Sequence, residues 1–120
     1  TRDRDGLQLQ PPRRIFEDEN GTALRLNSKS AGGSGRRKLH LVDWDGDGDL
    51  DLLTNSTNAD LYENTGRRSN GNVTFHHRGP IGTRKLAGHT SSPASIDMNN
   101  NGKLDLLIGA EDGHLYLMTR

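Results

Sequence analysis

The sequence predicts an all-β protein made of β-propeller-type blades of four antiparallel strands, with about two blades and therefore an incomplete propeller. The stretch Val42–Asn64 recurs as Ile96–Met118 with a constant offset of 54 residues (97 − 43 for the first aspartates) and no gap. Apolar and polar residues alternate on both sides of each aspartate-rich loop, as in half-buried strands. The connecting segments are rich in glycine and serine and lack a helical period. Such a repeat fits a propeller blade, and a closed propeller takes roughly four to eight blades.

Each strand of the first blade is predicted from a short run of alternating residues bounded by turn residues. The runs are KLHLVD, LDLLT, ADLYEN and VTFHHR. The second copy repeats the middle two as LDLLIG and GHLYLM, and the N-terminal runs RRIFED and ALRLN are predicted as outer strands. The predicted units are residues 1–36 as outer strands of a preceding blade with a Gly/Ser-rich linker, 37–90 as a complete blade that contains the first aspartate-rich loop, and 91–120 as a second blade that contains the repeated loop and lacks its last strand.

The composition limits how this chain gains its stability. Hydrophobic residues make up 29% of the 120 residues, and the net charge is zero. Low hydrophobicity is typical of disorder, but disordered chains usually also carry a high net charge. A small, weakly hydrophobic domain needs a metal, disulfides or a partner, and this chain has no cysteine. Scattered basic residues indicate no nucleic-acid partner, and no run approaches the roughly 20 apolar residues of a membrane span, so no membrane insertion is expected.

The first aspartate-rich loop has the spacing of a calcium-binding loop. Calcium takes roughly six to eight oxygen ligands, and carboxylates at alternate positions of a curling backbone converge on one point. Gly48 at position six permits a sharp turn that a side chain would hinder. Asp49 at position seven is expected to contribute its backbone carbonyl. The predicted side-chain ligands are Asp43, Asp45, Asp47 and Asp51, at positions one, three, five and nine.

The second loop keeps this spacing with fewer charges. Its asparagines supply oxygen ligands without charge, and Lys103 adds a positive charge while its backbone carbonyl remains available. Because calcium affinity depends on the number of charged ligands, we predict two Ca²⁺ sites, of which the first binds more tightly. The predicted ligands of the second loop are Asp97, Asn99, Asn101, Lys103 and Asp105.

Two other interpretations of these loops apply. The EF-hand matches the first half of the pattern but requires a bidentate glutamate at position twelve, where this chain has Thr54 and Ile108. It also requires flanking helices, whereas both flanks alternate as strands, so the EF-hand is excluded. An Asx-rich turn that binds no ion stays open as an alternative, more so for the second loop than for the first.

The segments DWDGDGDLDLL and DMNNNGKLDLLIGAEDGHLYLM resemble FG-GAP or VCBS repeats, the calcium-loop blades of integrin-like β-propellers. The resemblance covers residues 39–118 and is looser over the first thirty-six. It implies that each loop joins the first two strands of a blade and that calcium rigidifies the turn. Such repeats occur in extracellular or cell-surface proteins, including bacterial adhesins and some polysaccharide lyases, so an extracellular or cell-surface location is expected.

No catalytic constellation is evident, and we expect a protein that is not an enzyme. There is no cysteine nucleophile and no serine in a G-x-S-x-G elbow. His40 is expected to be structural, and the neighbours His76 and His77 point to opposite faces of one strand. His89, in a loop, is the best candidate among the five histidines for a site.

Four further residues carry predictions of their own. Asn20, Asn55 and Asn72 begin N-x-[S/T] sequons and are candidate glycosylation sites in turns. Trp44, the only tryptophan, lies at the second loop position. It either packs on the neighbouring blade or offers a stacking face to a sugar, and packing is favoured.

These predictions combine into an extracellular calcium-binding repeat module that acts as a structural or interaction scaffold, in adhesion or in association with carbohydrate. Its expected partners are other propeller blades or identical chains, which cover the open sheet edges, and carbohydrate is a further candidate. One alternative is a self-assembling subunit of a ring or extracellular filament. Another is a non-catalytic part of a polysaccharide lyase or other carbohydrate-active enzyme.

Overall fold

A computed structural model describes residues 9–26, 37–86 and 91–120, and within these ranges the protein is all-β, as predicted. Two predictions, the Gly/Ser-rich linker and a site at His89, lie outside the described residues. The strands are β1 (Phe16–Glu17), β2 (Leu39–Val42), β3 (Asp51–Asn55), β4 (Ala59–Arg67), β5 (Val73–Pro80), β6 (Ser92–Ile96), β7 (Asp105–Gly109) and β8 (Leu115–Met118).

The first sheet has the strand order β1-β5-β4-β3-β2, in which β2 to β5 form the predicted four-stranded antiparallel meander. Its strand β3 is buried along its whole length. Successive side chains of a strand point to opposite faces, so Leu52 and Leu53 enter two different apolar clusters. Both faces of this sheet are therefore covered, which explains why the two consecutive leucines of β3 are both buried.

One face of the first sheet is covered by the N-terminal segment. Strand β1 pairs with β5 in parallel, with Phe16 opposite Val73. The Phe16 ring meets the Phe75 ring edge to face, at 5.1 Å between centroids and 83° between planes. Leu24 and Leu26 pack against the same cluster. The structure thus adds β1 to the sheet of the first repeat, and the assignment of residues 1–36 to a preceding blade stays a prediction.

Glu17 attaches this N-terminal segment to the turn between β4 and β5. Its carboxylate accepts hydrogen bonds from the side-chain amides of Asn72 at 2.6 Å and Asn70 at 3.1 Å. It also forms an ion pair with Arg68 at 3.1 Å. The Asn72 amide, followed by the Asn70 amide, holds the pKa of Glu17 below its usual value. The charged form of Glu17 therefore stabilises the attachment of β1 to the meander.

The second sheet has three strands, β6-β7-β8, within the described residues, and it packs on the other face of the first sheet. The apolar cluster between the two sheets includes Trp44, which confirms that this side chain packs on the neighbouring blade rather than facing solvent. His40 Nε2 and Ser95 Oγ, 2.8 Å apart, also join β2 to β6. The buried members of the cluster are Trp44, Leu53, Ala59, Leu106 and Ile108.

Candidate metal centre

The first aspartate-rich loop connects β2 to β3, and its first carboxylate organises the turn. Asp43 Oδ1 accepts a hydrogen bond from the backbone N–H of Gly46 at 2.8 Å, and its Oδ2 accepts one from Gly48 at 3.0 Å. Further along, the side chains of Asp45 and Asp47 each accept a bond from the backbone N–H two residues later. The loop therefore curls around its own carboxylates.

The second loop connects β6 to β7 and repeats this hydrogen-bonding scheme. Asp97 Oδ2 accepts from the Gly102 N–H at 2.8 Å, as Asp43 does from Gly48. Asn99 and Asn101 accept from the backbone N–H two residues later, as Asp45 and Asp47 do. Replacing aspartate by asparagine has therefore kept the shape of the loop while lowering its charge.

Both loops need left-handed backbone at two positions. Gly48 and Gly102, at position six, have φ values of 94° and 81°. Position four is also left-handed, with φ of 83° at Gly46 and 56° at Asn100. Glycine adopts this conformation freely, and asparagine tolerates it better than most residues. The sequence analysis recognised position six only, although the alignment of Gly46 with Asn100 in the repeat carries the signal for position four.

The last acid of each loop lies inside the protein and closes the loop. Asp51 is 1% exposed and accepts a 2.9 Å hydrogen bond from the backbone N–H of Trp44. Asp105 is 0% exposed and accepts a 3.0 Å bond from Met98 in the same way. Each acid begins a central strand, so the sheet fixes its backbone and the loop folds onto it.

Asp51 is held as a buried carboxylate by two backbone donors. Its second oxygen accepts from the N–H of Asn64 at 2.8 Å, and the Asn64 side chain donates to the carbonyl of Leu50 at 3.0 Å. Burial nevertheless raises the pKa of Asp51, because desolvation outweighs these hydrogen bonds and the nearby Asp45 and Asp47 charges add repulsion. A cation at this loop would stabilise the charged form of Asp51.

Three of the predicted ligands come together in a geometry that fits one ion. Carboxylate oxygens of Asp43, Asp45 and Asp51 all lie within 4.8 Å of one another. Calcium–oxygen distances are about 2.3–2.6 Å, so two ligands of one calcium ion are at most about 5 Å apart. Hard, anionic oxygen donors are also the donor type that calcium prefers. Asp47 and Asp49 lie outside this group of three, and both are exposed.

The second loop offers a weaker set of donors. Asp97 and Asp105 are its only carboxylates, because Asn99, Asn101 and Lys103 occupy the intervening predicted positions. The Nδ2 group of Asn101 donates to the Arg120 carbonyl at 2.9 Å, so Oδ1 is the side-chain atom that an ion could use. The two loops therefore share a backbone hydrogen-bonding scheme and differ in charge, and their relative affinity for calcium stays a prediction.

The three predicted glycosylation sites lie in different environments. Asn20 is exposed in a turn, where its backbone N–H bonds to Asp18. Asn55 ends β3 instead of lying in a turn, and only 3% of it is exposed. The Asn72 amide nitrogen, the atom that a glycan would modify, donates to Glu17. Glycosylation at these residues stays a prediction, and Asn20 is the one whose side chain the fold leaves most accessible.

Among the described residues, no helix is long and apolar enough to span a bilayer. Comparisons with curated proteins and with solved structures found no match. A comparison with family models matched the FG-GAP-like repeat over residues 43–108, more than half of the chain. The matched range begins at the first ligand of the first loop and ends in β7, so it contains both loops and the intervening strands. Since the loops, the all-β fold and this match agree, the chain belongs to the FG-GAP-like repeat family.

Proposed function

We propose that this chain is a calcium-binding repeat module of an extracellular or cell-surface protein, which acts as a structural or interaction scaffold and not as an enzyme. The observation that carries the proposal is the convergence of Asp43, Asp45 and Asp51 in a loop whose hydrogen bonds recur at the second repeat. Membership of the FG-GAP-like repeat family supports a structural or interaction role.

Calcium would stabilise the fold by relieving charge repulsion that the chain itself creates. The three carboxylates of the first site are close together, and one of them, Asp51, is buried and accepts hydrogen bonds from Trp44 of the loop and from Asn64 of β4. An ion that binds only the folded state stabilises it by about 2.7 kcal/mol when its concentration is a hundredfold above Kd. Extracellular modules bind calcium with Kd of about 10⁻⁴–10⁻³ M, so extracellular calcium concentrations would keep such sites occupied.

Isothermal titration calorimetry with calcium tests the proposal directly. We expect two binding events for the wild-type chain, with the tighter one lost in Asp43→Asn/Asp45→Asn and the weaker one lost in Asp97→Asn. The matched control is Asp112→Asn, because Asp112 is an exposed carboxylate in the β7–β8 turn, outside both loops. Absence of binding heat, or equal binding by the double loop variant, would refute the calcium proposal.

Self-association is a second candidate function, favoured by one exposed apolar face. In the repeat, Met98 corresponds to Trp44, and Leu115 has the place on β8 that Ala59 has on β4. Trp44 and Ala59 are buried at the junction of the two sheets. Met98 and Leu115 are instead 49% and 74% exposed. The second sheet therefore presents the face that the first sheet buries, which gives an identical chain an apolar surface to cover.

Light scattering over a range of protein concentrations tests this self-association. We expect the molar mass of the wild-type chain to rise with concentration, and the Met98→Asp variant to remain monomeric. Leu39→Asp is the control, because Leu39 is 60% exposed on the edge strand β2, away from this face. A wild-type chain that stays monomeric at every concentration would contradict self-association and leave the calcium proposal intact.

A further inference from the structure

The side chain of Arg120 crosses from the second loop to the first. Its Nε donates to the backbone carbonyl of Leu104 at 2.9 Å, and its Nη2 donates to the carbonyl of Trp44 at 3.0 Å. The guanidinium carbon also lies 4.3 Å from the centre of the Trp44 ring, within cation–π range. Arg120 therefore bridges the cleft between the two loops. Besides Arg120, Trp44 and Leu104, this cleft is lined by Asp43, Asp45, Gly46, Gly102 and Lys103.

The backbone of Arg120 is positioned by predicted ligands of the second loop. Its N–H donates to Asp105 Oδ1 at 2.9 Å, and its carbonyl accepts from Asn101 Nδ2 at 2.9 Å. Asp105 is fully buried, so this anchor does not compete with water. The conformation of the second loop therefore determines where the Arg120 side chain begins.

Trp44 completes the connection to the first loop. Its ring is buried between the sheets, its carbonyl accepts from Arg120, and its N–H donates to Asp51 Oδ2 at 2.9 Å. Asp51 is one of the three converging carboxylates of the first site. A continuous series of direct contacts thus runs from Asp105 through Arg120 and Trp44 to Asp51.

We propose that calcium binds the two loops with positive cooperativity, and that Arg120 is the positioning residue that couples them. The proposal rests on the proposed function, since it requires calcium to bind both loops. Calcium at the second loop fixes Asp105 and Asn101, which order Arg120, and an ordered Arg120 holds Trp44 against Asp51. The first loop is then partly ordered before its own ion binds, so the entropy cost of binding calcium at the first loop falls.

The electrostatic repulsion between two bound ions, which opposes this coupling, is weakened by solvent. Most loop residues of both sites are exposed, so the charges of the two ions interact through solvent and are screened by salt. Cooperative coupling between two sites is typically about 5- to 150-fold in affinity, and it acts equally in both directions. We expect the lower end here, about fivefold, because one side chain carries the link.

The experiment is a double-mutant cycle read out at the first site. Trp44, the only tryptophan, lies in the first loop, so its fluorescence follows calcium binding there. Asp97→Ala removes the predicted position-one ligand of the second loop. The described hydrogen bonds of the Asp97 side chain go to Asn101 and Gly102 and not to Arg120. Arg120→Gln removes the guanidinium and keeps both backbone bonds to the second loop. The first-site Kd is measured in the wild-type chain, each single variant and the double variant, with calorimetry giving the number of bound ions.

We expect Asp97→Ala to weaken the first site about fivefold in the wild-type background and less than twofold in the Arg120→Gln background. Arg78→Gln is the matched control, because Arg78 pairs with Glu63 on the β4–β5 hairpin and contacts neither loop in the described contacts. If Asp97→Ala does not fold, Asp97→Asn replaces it, since the amide keeps an acceptor for the loop. An equal effect of Asp97→Ala in both backgrounds overturns the coupling. If the two ions bind independently, the coupling is refuted and the proposed function stands. If no calcium binds, the proposed function is refuted as well.

Discussion

Replacing Asp51 by asparagine separates the role of this residue in folding from its role in binding calcium. The carboxylate accepts two backbone hydrogen bonds, from Trp44 and Asn64, and hydrogen bonds to a charged group contribute about 1.5–3 kcal/mol each. Asparagine retains one acceptor oxygen and turns an NH₂ group towards the other donor. The loss of about 2 kcal/mol is offset in part, because the substitution also removes a buried charge whose pKa is raised by desolvation.

The penalty depends on calcium, which makes the prediction specific. In chelator, we expect Asp51→Asn to lower the free energy of unfolding by about 1 kcal/mol, the net of the two effects above. At calcium concentrations near a hundred times Kd, the variant also loses the binding contribution of about 2.7 kcal/mol. The expected penalty in calcium is therefore about 3–4 kcal/mol.

Urea unfolding in calcium and in chelator, followed by Trp44 fluorescence and circular dichroism, measures both penalties. The slope of the free energy against urea shows whether both proteins unfold in the same way. Asp112→Asn serves as the control, because it neutralises an exposed carboxylate outside the loops and should cost the same under both conditions. An Asp51→Asn penalty that is equal with and without calcium would refute the assignment of Asp51 as a ligand.

Three further predictions concern the core, the N-terminal attachment and the loop backbone. Phe75→Ala should lower the free energy of unfolding by about 3–5 kcal/mol, because Phe75 is buried in a cluster with Leu52 and Tyr62, and a value below about 1 kcal/mol would contradict the packing. Glu17→Gln should lower the free energy of unfolding most above pH 4.5, because the Asn72 amide holds the pKa of Glu17 in the folded protein below 4.5. The gap between the urea midpoints of wild type and variant should close as the pH falls through that lowered pKa, and a pH-independent gap would contradict this. Gly46→Asn should change the unfolding free energy in calcium by less than about 0.5 kcal/mol, because Asn100 adopts the same left-handed conformation at the matching position, and a larger loss would show that the two loops differ in backbone.

Local patterns predicted the parts of the fold that depend on local chemistry. The runs LDLL and LDLLIG located β3 and β7, because short segments with leucines that enter the core and turn residues on both sides are typical of strands. The aspartate spacing located the converging carboxylates, since ligands of one ion must recur where the backbone curls. The EF-hand was excluded on the flanking pattern, and strands do flank both loops.

The contacts that sequence reasoning missed are those between distant segments. Nothing near Phe16 indicates that β1 pairs in parallel with β5, because that pairing depends on the Glu17 attachment and on ring packing with Phe75. Arg120 carries no motif, and its bond to Trp44 joins residues 76 positions apart. Such contacts form only once two sheets have been placed, so a pattern confined to one segment cannot encode them.

The position of the loops explains how a chain with 29% hydrophobic residues can gain from an ion at its surface. Trp44 belongs both to the first loop, through its bond to Asp51, and to the apolar cluster between the sheets. An ion that fixes the loop therefore also restricts a central member of that cluster, and the packing of Leu106 and Ile108 against Trp44 in turn favours the closed loop. Because Met98 occupies the same position in the second loop and is exposed, calcium bound there would lack this packing contribution. The two loops should thus differ in affinity for a reason beyond charge, namely that only the first is tied to a complete interface between sheets.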